Sequence, residues 1–116
     1  MSWLAALLAA LLLWPTAACA AEVLQVRGAT LLQVGDSNRS YAVELACVTV
    51  DATQSEAAIA WLRQEVPRRS RVNLRPVGQH DGVLVARVDK LGSDASLGAG
   101  LVAAGLADPL PVELCG

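Results

Sequence analysis

The chain has 116 residues, and its hydrophobic fraction of 54% is weighted toward the N-terminus: residues 1–21 contain none of the nine Lys and Arg or the eleven Asp and Glu. About 95 residues follow, enough for one small domain with a modest core and too few for two. The net charge of −2 gives no global attraction for nucleic acid, so any such binding needs a local patch.

Leu4 to Leu13 is almost entirely Leu and Ala, Pro15 breaks the run, and Ala18 and Ala20 are the small residues a signal peptidase accepts around Cys19. The run is short for a membrane span. Residues 1–21 are therefore expected to be a signal peptide, residues 22–107 the folded domain and 108–116 an extended tail. The protein is expected to be exported, to a periplasm or the extracellular space. An uncleaved anchor, and a lipoprotein carrying lipid on Cys19, are the alternatives.

Val23 to Val26 predicts a short strand, with Arg27-Gly28-Ala29 as a bend. A hairpin follows: a strand from Thr30 to Val34, a polar turn Gly35 to Ser40, and a longer strand from Tyr41. In that strand Tyr41, Val43, Leu45 and Cys47 point one way and Ala42, Glu44, Ala46 and Val48 the other, with Glu44 as the one intrusive charge. Asn38-Arg39-Ser40 fits a glycosylation sequon, but the sequon is short and the stretch is read as a polar turn.

From Ser55 the period changes to about 3.6. Ser55 or Thr53 caps this helix, Pro67 ends it, Ala57, Ala58, Trp61, Leu62 and Glu65 share one side, and Ile59, Leu62 and Val66 or Trp61 turn inward across one mouth of the sheet. Arg71 to Pro76 predicts a strand with Val72 and Leu74 inside, Gly78 to Gly82 a turn, and Val83 to Val88 a fifth strand. Ser96 or Asp94 caps a second helix, Leu97 to Ala104, closed by Gly105.

Beyond the signal only Cys47 and Cys115 remain, an even pair in an oxidising compartment, and a bridge would tie the tail to the barrel. Two unpaired thiols, one of them a small core residue in a strand, are the alternative. Two Cys and one His without CxxC or HxxxH spacing make no zinc site.

Three strands, a helix, two strands and a helix predict a mainly β fold, an OB-type five-stranded barrel capped by two short helices, because short antiparallel strands need closure to protect their edges. Thr30-Leu31-Leu32, Val43 to Ala46, Arg71 to Leu74, Asp81-Gly82 with Leu84 to Val88, and Leu101 to Ala107 resemble the staphylococcal-nuclease-like (thermonuclease) family over Val23 to Ala107. The resemblance implies that scaffold and, in active members, calcium-dependent phosphodiester hydrolysis. It also implies where the reactive groups would stand. The first metal-binding Asp falls on Ala29 and the second on Thr49. The Glu that orients the attacking water falls on Ala52, and the two phosphate-binding arginines fall on Glu44 and Val83. None is kept, so no catalytic residue, metal or cofactor is expected, calcium entering only if the alignment slips and brings Asp36, Asp51 or Asp81 to the site.

Arg63, Arg68, Arg69, Arg71 and Arg75 are a candidate anion-binding patch for weak nucleic-acid or anionic-surface binding, or a solvated helix end and turn. No aromatic platform accompanies them, since Phe is absent and Tyr41 is the one tyrosine. His80 beside Asp81 lacks a nucleophile elbow, and Gly98-Ala99-Gly100 lacks nucleotide-loop spacing and reads as close helix packing. Trp61 reads as core more readily than as a ligand platform. The expected function is a non-catalytic binding or interaction module; a secreted calcium-dependent nuclease and a ligand-free envelope-associated protein are the alternatives.

Overall fold

The structure is a computed structural model that describes residues 19–111, with side chains from Ala20 onward. Residues 1–18 of the expected signal peptide, the lipidation reading of the Cys19 side chain and Cys115 lie outside the described residues. In chain order the elements are β1 (Cys19–Gly28), β2 (Leu31–Asp36), β3 (Arg39–Leu45), β4 (Val48–Thr49), a 3₁₀ turn (Ala52–Gln54), α1 (Ser55–Glu65), β5 (Arg71–His80), β6 (Val83–Lys90), α2 (Leu97–Ala103) and β7 (Asp108–Pro109).

Five strands close a barrel in the order β1-β2-β3-β6-β5, and β4 and β7 form a separate two-stranded sheet. This is the expected OB-type barrel with two helices. All barrel contacts are antiparallel except β3 with β6. That parallel contact requires a crossover, and the segment through α1 and β5 supplies it. β1 joins β5 through Cys19 to Glu22 and β2 through Glu22 to Gly28, with register shifts after Val23 and Val26. Such bulges bend a strand, which lets one strand serve two neighbours around a tight barrel.

Alternation sets the interior. Val23, Leu32, Val34, Val43, Val72 and Ala86 are 0% exposed, and Leu45, Leu74 and Val88 at most 3%. One helix face closes the core: Ala58 and Leu62 of α1 are fully buried, followed by Val66, while Ile59 and Trp61 are half-buried and Ala57 is exposed. Leu97 and Leu101 of α2 complete it. Ser96 caps α2, its Oγ accepting a hydrogen bond from the Ala99 amide at 3.1 Å. For α1, by contrast, the expected Ser55 or Thr53 cap gives way to Gln54, which makes no side-chain cap bond. The 3₁₀ turn precedes it, and the Thr53 hydroxyl donates to Asp51 Oδ2 at 3.0 Å instead.

Several boundaries differ from expectation. β1 begins at Cys19, two residues ahead of the expected end of the signal, with Cys19, Ala20 and Ala21 opposite Leu74, Asn73 and Val72. The first hairpin is tighter, since Asp36 and Arg39 still pair and only Ser37 and Asn38 turn. β5 runs on to His80 past Pro76, accommodated by an irregularity between Pro76 and Gly78. The turn into β6 is then only Asp81-Gly82, both at positive φ, 51° and 80°, which the right-handed twist of a two-residue hairpin favours.

The glycines of α2 serve packing. A Cβ at Gly100 would lie 2.6 Å from Trp61 Cη2 and 2.9 Å from Cζ2, so this glycine lets the rigid indole of α1 lie against α2. Gly100→Ala is expected to lower stability by about 1–3 kcal/mol through overpacking, outweighing the roughly 0.5–1 kcal/mol gained by removing a helical glycine. Urea unfolding measures this, and equal or higher stability would contradict the packing account.

Candidate functional site

The outer face of β2, β3 and β6 is built by register. Val43 and Leu45 point into the core, so Glu44 between them points outward, half-buried. Leu31 stands opposite Glu44 on β2 and Val85 on β6, placing one carboxylate between two aliphatic side chains. Among the described residues its oxygens make no hydrogen bond or ion pair.

The other positions implied by the nuclease resemblance stand on separate elements. Ala29 occupies the turn between β1 and β2 and packs against the core. Val83 opens β6 opposite His80 and shares the outer parity of Val85. Thr49 is exposed on β4 and pairs with Asp108 of β7; Ala52 is exposed at the start of the 3₁₀ turn. The carboxylates that an alignment slip would bring in stand at three separate places: Asp36 at the β2–β3 tip, Asp51 before the 3₁₀ turn and Asp81 at the β5–β6 tip. Among the described residues no three of His, Cys, Asp and Glu are grouped as metal ligands.

The five candidate arginines are spread over α1, the turn after it and β5. All are exposed. Arg71 stands opposite Glu22, and Arg75 Nε lies 3.6 Å from Asp89 Oδ2, so acidic neighbours offset part of the patch. Arg71 also borders an open cavity of about 580 Å³ between the start of β1 and the first hairpin, with Glu22, Leu24, Asp36 and Arg39 on its walls. Its charges alternate across the ladders, Glu22 with Arg71 and Asp36 with Arg39.

His80 Nε2 and Asp81 Oδ2 approach to 3.4 Å, but both side chains are more than two-thirds exposed at the hairpin tip. Cys47 is not in mid-strand as the alternation predicts. β3 stops at Leu45, and Cys47 sits in the turn to β4 at φ 69°, where its carbonyl accepts from the Leu110 amide at 2.8 Å. It is disulfide-bonded. The strand parity breaks there: Leu45 and Ala46, which alternation sets on opposite faces, are both buried.

Sequence reasoning missed Asp89, which is 3% exposed although it points away from the barrel core. The chain after β6 folds back over it, with a bridge from Asp89 to Ser96. Its Oδ1 has no hydrogen-bond partner among the described residues. Reasoning also missed Arg87, which register sets opposite Arg75.

No family model matches the chain, and neither does any curated protein. No helix among the described residues is long and apolar enough to cross a membrane.

Proposed function

We propose that this protein is an exported binding module on a scaffold of the staphylococcal-nuclease-like kind that has lost catalysis. The observation that carries the reading is Glu44, an outward carboxylate held between Leu31 and Val85 where the resemblance calls for a phosphate-binding arginine. Two like charges about 4 Å apart in a partly dry cleft repel by on the order of 1–4 kcal/mol, so a phosphodiester is disfavoured there. Ala29, Thr49, Ala52 and Val83 supply no carboxylate, base or cation. A hard cation needs several placed oxygens, and an attacking water needs an orienting base.

Two parts of the reading concern the rest of the chain. Cys47 pairs with Cys115, since β7 already returns the tail to the turn that holds Cys47. The exposed arginines from Arg63 to Arg75 provide weak, salt-sensitive attraction for anions such as nucleic acid or an acidic surface.

Restoring single residues tests the reading. Glu44→Arg is expected to release no acid-soluble nucleotide from denatured DNA with calcium, because catalytic groups that act as a unit are strongly non-additive. Chelator-sensitive turnover by Glu44→Arg alone would show that the remaining machinery is present.

A further inference from the structure

We propose that Arg75 and Arg87 form a binding site for a single tetrahedral oxyanion, a phosphate or sulfate group, on the outer face of β5 and β6. The inference deepens the reading of the protein as a binding module by naming a ligand class, and it rests on that reading.

Arg75 and Arg87 are direct cross-strand partners, and both are exposed. Leu74 of β5 and Ala86 and Val88 of β6 are buried in the barrel, so the two guanidinium groups rise from the same outer face. Like charges directly opposite one another destabilise a sheet. Here one carboxylate stands beside one of the two cations: Asp89 Oδ2 is 3.6 Å from Arg75 Nε, and the Asp89 side chain is 4% exposed against 61% for Arg75. Asp89 is buried and Arg75 reaches outward, so the carboxylate steadies the Nε edge of the guanidinium at the foot of the pair.

The rest of the guanidinium surface is uncommitted. Among the described residues no hydrogen bond or ion pair engages Arg87, and the contact of Arg75 is through Nε. Cβ atoms of directly opposed residues lie about 4.5–5.5 Å apart, close enough for two forks to converge on one anion. Arginine presents paired N–H donors that match the oxygens of a phosphate or sulfate in a way a lysine does not.

The surroundings favour one compact anion over a nucleic-acid strand. A strand-binding groove combines backbone cations with aromatic platforms on which bases stack. Trp61 is instead packed near Gly100, and Tyr41 belongs to β3, with Val34 opposite it. Asn73, opposite Asp89 on the same face, adds polar character and no charge.

The test is titration of the protein with inorganic phosphate and with sulfate at fixed ionic strength set by chloride, read from the arginine Nε–Hε NMR signals. The Arg75 and Arg87 signals are expected to move together and saturably with either anion. Arg75→Gln or Arg87→Gln should weaken phosphate binding roughly fivefold or more, and the double variant should abolish saturation. Arg75→Lys should weaken it as well, because it keeps the charge and loses the fork. Arg27→Gln on β1 should leave it unchanged. Wild-type affinity in Arg75→Lys, or an equal loss in Arg27→Gln, would mean diffuse charge and overturn the site. Thermal melting confirms that these exposed substitutions leave the fold intact. A nuclease assay on the same samples separates the two levels: calcium-dependent cleavage sinks the binding-module reading, while absence of saturable phosphate binding sinks this site alone.

Discussion

Leu62→Ala is expected to lower the unfolding free energy by about 2–5 kcal/mol, through the lost transfer free energy and the cavity left behind. Leu62 is 0% exposed and joins α1 to the core made by the barrel strands. The void cannot be filled cheaply. α1 is held on one side by Trp61 against Gly100 and on the other by Lys90 Nζ, 3.7 Å from Glu65 Oε1. A domain of this size has only about 5–15 kcal/mol in total, so the loss is a large fraction of it. At roughly 4–8 °C per kcal/mol, the midpoint of thermal unfolding should fall by about eight degrees or more. Urea unfolding with an unchanged slope reads the loss directly. A change below about 1 kcal/mol would mean that α1 is not a structural part of the core.

Cys47→Ser is expected to cost about 2–5 kcal/mol, the usual consequence of removing a native disulfide from a small domain. Cys47 is disulfide-bonded, and β7 pairs with β4 so that the Leu110 amide meets the Cys47 carbonyl. The six residues from Leu110 to Cys115 are chain enough to return to Cys47. Closing so long a loop restricts the unfolded chain, which is where much of the stabilisation arises in the chain-entropy account. Cys115→Ser should cost the same, the double variant no more than either alone, and Cys19→Ser nothing. Two alkylatable thiols at 47 and 115 in the unreduced protein would overturn the pairing.

The barrel was legible where alternation and capping act locally. Val43 and Leu45 inside with Glu44 outside, Val72 and Leu74 inside, and Ser96 as the α2 cap all follow from period and side-chain chemistry. Features set by pairing were not legible. β1 starts within a Leu- and Ala-rich stretch whose composition resembles a signal peptide, and only the ladder to Leu74, Asn73 and Val72 reveals its strand. Counted straight from the Asp81-Gly82 turn, Arg75 would face Val88; the extra residue between Pro76 and Gly78 moves it opposite Arg87. Cys47 leaves the strand because a left-handed turn intervenes, and nothing in a β-rich run announces that turn. Asp89 looks like an ordinary outward charge until the following loop covers it. The resemblance, by contrast, could be examined residue by residue, and Glu44 was conspicuous from the start as a charge in an otherwise apolar alternation.

The most direct measurement is the release of acid-soluble nucleotides from denatured DNA by the purified, contaminant-free protein, with calcium and with chelator. The account predicts no calcium-stimulated release, because Glu44 and Val83 leave a phosphate unclamped and Ala29, Thr49 and Ala52 leave a metal and a water unheld. Turnover that calcium starts and chelator stops would contradict it.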